Sequence, residues 1–302
     1  MIEAHHGRRA VLLAGLAVPL AACSSRPASP STPSASPIPP RRVVTLDGAR
    51  TEDVLALGLQ PVGVAGAAAY RRTVTRPALA AKAVELGDRA ALDLEAVRAC
   101  RPDLVLGTDL DPGLLERLRA IAPTESLAGP FPTRALAVPR ENLQRTGALL
   151  GREQQAADLL VSLDEKIGTT RLALAGRLNP PTILLQIGAD ASVHLLGPGS
   201  AVGLLAQQVG VVDPVTNNGD ARGAVATTWQ ELPRAERIWW WASPEARQAM
   251  KGLATDPRWT SLPAVRAKAA RPVLQGHDPF AGASSLLALL DELVALYGAK
   301  KK

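Results

Sequence analysis

Residues 152–177 read REQQAADLLVSLDEKIGTTRLALAGR, a run with no proline and no glycine before Gly168 and Gly176. Within it Ala156, Leu160, Leu163, Ile167 and Leu174 follow one another at helical spacing. That spacing predicts one long helix with a single apolar face. At ~1.5 Å per residue it would be on the order of 35 Å long, the width of a small domain. A helix of that length between two folded halves is expected to act as a rigid strut.

Outward from this segment, both flanks alternate short apolar runs with helical stretches, which predicts α/β units and mainly parallel sheets. Before the helix, strands are expected at residues 43–46, 61–64, 83–86, 104–106 and 124–127, with helices at 51–57, 94–100 and 112–120. Asp93 stands where a helix cap is needed. After the turn Asn179-Pro180-Pro181 the pattern restarts, with strands at 182–187, 236–241 and 272–275 and a helix at 201–209. A closing helix places Leu286, Leu289, Leu290, Leu293 and Tyr297 on one face. The expected fold class is α/β, with two α/β lobes joined by a single long helix and a ligand cleft between them. A chain of 302 residues is long enough for two such cores.

The amino terminus has a different character. Arg8-Arg9 precede an apolar run from Val11 to Leu20, too short for the ~20 residues that cross a membrane but suited to an export signal. The run ends in Leu20-Ala21-Ala22-Cys23, which resembles a bacterial lipobox, so Cys23 is the expected lipidation site. Arg8-Arg9 also resemble part of a twin-arginine signal. Residues 24–40 are rich in Pro and Ser and cannot bury enough apolar surface to fold, as expected of a tether. The expected organisation is a signal peptide at 1–22, the lipidated cysteine and tether at 23–41, a first lobe at 42–150, the interlobe helix at 151–178 and a second lobe at 179–302. Of the two cysteines, Cys100 is then left without a disulfide partner and is read as a small core residue.

The formal charge of +6 is spread along the chain, with Lys300-Lys301-Lys302 its one compact basic block. Nucleic-acid binding, which concentrates cations on one element, is disfavoured. Enzyme chemistry also finds little support. Neither a Gly-x-Ser-x-Gly elbow nor a phosphate-cradling glycine loop before Lys-Ser/Thr occurs. Beyond the signal only His194 and His277 remain, too few for a three-histidine metal site. No metal cofactor is expected, and any iron should arrive already chelated. An extracytoplasmic hydrolase built on His194 or His277 is the weaker alternative.

Several segments together resemble the periplasmic binding proteins for iron chelates and cobalamin. They are residues 42–47 (RVVTLD), 51–64 (TEDVLALGLQPVGV), 94–97 (LEAV), 101–107 (RPDLVLG), 180–188 and 256–265 (DPRWTSLPAV). Their order and spacing, more than any one of them, carry the resemblance. It implies a non-enzymatic, extracytoplasmic substrate-binding lipoprotein of an ABC importer, a monomer that captures a ferric siderophore. Its partners would be a permease and an ATPase, with the membrane touched through the lipid anchor alone. Haem or cobalamin binding on the same fold is the alternative. The resemblance also implies docking to the permease through one acidic residue per lobe. Glu95 matches the first; the second position falls on Gln230, with Glu231 adjacent.

In open α/β sheets ligands sit beyond the carboxyl ends of the strands. That rule points to the loops carrying Tyr70, Arg71, Arg72 and Arg89 in the first lobe. In the second it points to Arg222, Trp241, His277 and Phe280. Guanidinium forks suit the oxygens of an anionic chelate and rings cover its flat faces. For haem, His277 or Tyr70 would be the axial ligand. Trp239 and Trp240 lie inside a strand, where alternation buries at least one of them.

Overall fold

The computed structural model describes residues 39–280 and 282–298. The expected export signal and Cys23 lie outside the described residues, as does the tether up to residue 38.

The first lobe holds a five-stranded sheet of β1 (Val43–Thr45), β2 (Gly63–Val64), β3 (Val84–Glu85), β4 (Leu104–Thr108) and β5 (Thr124–Leu127). Its strand order is β3-β2-β1-β4-β5 and every pairing is parallel. The central strands β1 and β4 are almost wholly buried, which is why they read as continuous apolar runs. Three aspartates start the following helices. Asp47 accepts the Arg50 N–H ahead of α1 (Gly48–Ala56). Asp93 accepts from Glu95 and Ala96 ahead of α3 (Leu94–Ala99). Asp111 accepts from Leu114 ahead of α4 (Pro112–Arg119), whose first residue is a proline.

One expectation fails between β2 and β3. Residues 69–72, taken from the sequence as a loop, lie in the short helix α2 (Ala67–Thr73). Its cap is not local: Gly66 is in the left-handed region, and the Glu85 carboxylate on β3 receives the N–H groups of Gly66 and Ala68 at 3.0 and 2.7 Å. A helix stabilised from nineteen residues downstream leaves no signature in its own sequence.

Helix α5 (Ala137–Leu150), absent from the sequence reading, precedes the long helix α6 (Glu153–Ala173). The buried positions of α6 include Ala156, Leu160, Leu163 and Ile167. Ala156 and Leu160 belong to the first-lobe core with Val54, Leu57 and Leu143. Leu163 and Ile167 belong to the second-lobe core with Trp239 and Leu289. One helix face is therefore shared between two cores, which makes α6 the strut. It stops at Ala173, four residues before the expected end, because the chain turns into Gly176 at φ +71°.

The second sheet contains β6 (Thr182–Ile187), β7 (Val193–Leu196), β8 (Ala224–Thr227), β9 (Arg237–Ala242) and β10 (Ala270–Pro272), ordered β10-β9-β6-β7-β8. It is mixed: β7 runs antiparallel to β6 and to β8. The reason is the tight 188–192 turn, closed by Gly188 N–H to Ser192 O at 2.9 Å, which is too short for a parallel crossover. The last strand lies at Ala270–Pro272 rather than 272–275. Helix α7 (Ala201–Gln208) follows β7, and α8 (Arg247–Leu253) follows β9. The closing helix α11 (Ala283–Tyr297), the last of three after α8 with α9 (Pro257–Thr260) and α10 (Pro263–Arg266), buries Leu286, Leu289, Leu290 and Leu293. Its first residue, Ala283, instead joins the first-lobe core.

Candidate functional site

The parallel order of the first sheet reverses direction at β1, so the loops after β1 and its neighbours open a crevice at their carboxyl ends. Asp47 follows β1, Gly66 follows β2, and Asp88 with Arg89 follow β3. With Ala69, Tyr70 and Thr73 of α2 and Asp278 from the second lobe, these residues line a cavity of about 270 Å³ between the lobes. A larger hollow of about 550 Å³, lined by Pro181, Ile183, Leu232 and Pro263, sits at the amino ends of β6 and β9. Its position at the wrong end of the strands separates it from the crevice.

Tyr70 is 6% exposed and its hydroxyl donates to Pro77 O at 3.2 Å. Burial, followed by the nearby carboxylates of Glu52, Asp278 and Asp53, pushes the phenol far above its ordinary range, so it stays neutral. Arg71 turns away from the cavity and donates to the carbonyls of Ala80 and Ala83, both at 2.9 Å. Arg72 reaches across the lobes to Glu245 at 3.1 Å. Arg89 stands on the cavity rim and donates to Asp109 O at 2.6 Å.

From the second lobe, the Arg222 guanidinium lies 5.1 Å over the Phe280 ring. Asp278, in the same loop as Phe280, has its carboxyl raised by burial, against the pull of the Phe280 N–H and of Arg222. Trp241 is 7% exposed and packs in the core, so it offers no ring face to a ligand. Its indole N–H donates to His277 O at 2.9 Å and so holds the loop that carries Asp278 and Phe280. His277 lines a separate hollow with Thr75, Arg76 and Pro77. Burial and then the Arg76 charge lower its pKa, and its Nδ1 has no partner among the described residues. The structure thus brings Tyr70 and Arg89 to the cavity and sets Arg222 and Phe280 beside it through Asp278. Arg71, Trp241 and His277 lie outside it.

The strand-end rule points to the loops at 47–50 and 277–280, but does not single out the acidic and buried residues found there and on α1. Asp47 and Asp278 line the cavity itself. Behind them, Arg50, Glu52 and Asp53 on α1 are 2%, 0% and 1% exposed. Glu52 accepts from the Ser285 N–H at 2.9 Å and the Ser285 hydroxyl at 2.7 Å, and burial pushes its pKa up to about 8. Asp53 lies 3.0 Å from Arg50 Nη2 without the alignment of a hydrogen bond, and burial raises it to about 6 despite that cation. Arg50-Thr51-Glu52-Asp53 comes a few residues past the first strand, and nothing in four consecutive polar residues marks them for burial.

Glu95 is exposed in the first turn of α3, which begins past the carboxyl end of β3. Glu231 is exposed just past β8, with its carboxylate accepting from Thr228 Oγ1 at 2.8 Å. Because β8 runs antiparallel to β7, it runs in the same sense as β6. Both glutamates therefore stand at the strand ends that carry the cleft, one on each lobe.

The family model described as "Periplasmic binding protein" matches residues 43–270. The iron(3+)-hydroxamate-binding protein FhuD of Escherichia coli (strain K12) is 25% identical over 241 residues, covering 78% of this chain and 80% of that protein. The "Probable siderophore-binding lipoprotein YfiY" of Bacillus subtilis (strain 168) is 25% identical over 183 residues, covering 59% of this chain; the chain spans 54% of that protein. Among solved structures, the Fe3+-Desferal-bound siderophore-binding protein FhuD from Vibrio cholerae superposes with a TM-score of 0.73 at 24% identity. That match covers 85% of this chain and 99% of the other.

Proposed function

This chain belongs to the periplasmic binding protein family, and on that footing we propose that it captures a ferric siderophore outside the cytoplasm and delivers it to the permease of an ABC importer. The observation that carries the reading is the interlobe cavity at the carboxyl ends of the first sheet, closed from the second lobe by Asp278 beside the Arg222–Phe280 pair. Such a site binds without transforming: a neutral phenol, a guanidinium rim and a ring face hold a preformed chelate by shape and charge. One similar protein is named for iron(3+)-hydroxamate and another was solved with Fe3+-Desferal, which supports including those chelates among the first to try. Haem is less well supported, because Tyr70 is hydrogen-bonded to Pro77 and held neutral while His277 faces another hollow.

The cavity of about 270 Å³ falls just below the ~300–1,000 Å³ usual for ligand pockets. A bulky chelate therefore needs the cleft rim around Arg72 and Glu245 to yield. One pair that spans the lobes at this rim, Arg72 with Glu245, is about half exposed on both sides and is worth ~0–1 kcal/mol. Ligand entry can break it easily.

The same proposal extends to the rest of the molecule. Lobes at 42–150 and 179–302 joined by residues 151–178 agree with the division of the α6 face between two cores. Lipidation of Cys23 would hold the protein at the outer face of the membrane, with the 23–41 segment as tether. Glu95 and Glu231 would meet the permease, since both rise on the cleft side. The partner ATPase would supply the transport energy to a monomeric binding protein.

The test is tryptophan fluorescence of the purified protein titrated with ferric and iron-free siderophores, haemin and cobalamin. Trp241 supports the cleft loop through His277 O and is placed to report occupancy. Saturable quenching by a ferric chelate at submicromolar concentration, with calorimetry in agreement, is expected. A folded protein silent to every ferric chelate would sink the proposal.

A further inference from the structure

We propose that Glu52 is a positioning residue that pins the two lobes together and sets the stance of the second lobe's cleft loop against the first. The argument begins with α11, a helix of 15 residues whose opening N–H groups need partners. The residue before it is Gly282, which has no side chain with which to cap it. The cap comes from the other lobe: both oxygens of Glu52 are engaged by Ser285, one by its N–H and one by its hydroxyl. Ser285 is the third residue of α11, the position whose N–H a capping oxygen ordinarily receives. The two residues are 233 positions apart, and each is buried to within 1% exposure.

The backbone shows the same close approach independently. A Cβ on Gly282 would stand 2.6 Å from Asp53 Oδ1 and 3.4 Å from Glu52 Oε1, so only glycine admits the α11 entry this close to α1. Ala283, the next residue, already packs in the first-lobe core. The start of α11 is thus seated in the opposite lobe, with Ala283 in its core and Ser285 held by the Glu52 carboxyl group.

The consequence for the site is direct. Asp278 and Phe280 lie within a few residues of Gly282, so the pin fixes where they stand relative to Asp47 and Tyr70. The long helix α6 ties the lobes along one face. Glu52 ties them at a further buried point, alongside the Thr75 N–H that donates to Gly276 O across the lobes at 2.8 Å. The Arg72–Glu245 pair, about half exposed on both sides, is the weaker tie.

The pin is tested without any ligand, so its failure and that of the siderophore reading are separable. Spin labels at Arg117→Cys on α4 and Gln248→Cys on α8, both exposed, report the interlobe distance in the full chain carrying Cys23→Ser. The buried Cys100 is left in place. The parent and Glu52→Gln, whose amide can both accept the Ser285 N–H and donate to its hydroxyl, are expected to give one narrow distance distribution. Glu52→Ala is expected to broaden it by several ångströms while circular dichroism reports intact lobes. A distribution in Glu52→Ala matching the parent, or one in Glu52→Gln as broad as in Glu52→Ala, would overturn the proposal. Should Glu52→Ala not fold, Ser285→Ala keeps the N–H and loses the hydroxyl. Intermediate broadening is expected there, and no broadening would overturn the pin.

Discussion

Glu52 also makes a thermodynamic statement, because its proton is bound more tightly in the folded chain than in the unfolded one. Burial raises its pKa from 4.5 to about 8, and burial raises Asp53 from 3.8 to about 6. Between the unfolded and folded values the native state holds protons that the unfolded chain releases, so stability falls as pH rises. The stabilising contribution is fully present below the unfolded pKa and is lost as pH passes through the folded one. Each pKa unit is worth ~1.4 kcal/mol. The urea midpoint is therefore expected to drop between pH 5 and pH 8, and Glu52→Gln should flatten that slope. An equal slope in the variant would show that Glu52 does not titrate in this way. The arginines divide by a similar test of role. Arg89→Ala and Arg222→Ala should each weaken ferric-chelate binding about 10- to 100-fold in calorimetry, the worth of one charge-assisted hydrogen bond of ~1.5–3 kcal/mol. Arg71→Ala should instead lower the melting temperature, since it strips a donor from the Ala80 and Ala83 carbonyls. Equal loss of affinity in all three variants would contradict the division.

Among the elements, α6 shows how far periodicity carries. Its buried positions are those that the 3.6-residue period selects, because both lobes pack on one face. Gly168 sits on this helix with nothing within 4 Å of an added Cβ. Gly168→Ala should stabilise the protein by ~0.5–1 kcal/mol, read as a raised urea midpoint, because it reduces the freedom of the unfolded chain without a clash. A lowered midpoint would mean that the strut needs flexibility there. Helix α2 shows the limit. Its cap is Glu85 on a neighbouring strand, whose carboxyl is held below its usual range. Partial burial works against this, but the N–H groups of Ala68, Ala67, Gly66 and Gly87 outweigh it. Likewise the antiparallel β7 follows from a tight turn that a count of apolar runs does not see.

For the whole molecule, the proposed docking role of Glu95 and Glu231 allows binding to be tested apart from delivery. Glu95→Lys with Glu231→Lys should leave chelate affinity unchanged, since neither residue lines the cavity. In vesicles containing the permease and ATPase, uptake should fall at least tenfold in the double variant. Undiminished uptake would remove both residues from the docking surface.

The sequence by itself determined the two α/β halves, the helix between them and the strand ends where a ligand would sit. Each of these follows from local periodicity and from turn residues acting on their neighbours. Tertiary structure alone decided which polar side chains line the cleft. Arg71 and Arg89 are both arginines on first-lobe segments near the cleft, yet one clamps its own lobe and the other faces the cavity. Nothing in the sequence around Glu52 marks it for burial; the fold brings Ser285 to it from 233 positions away. A side chain's partner is fixed by the packing of elements distant in sequence, and neither composition nor spacing records that packing.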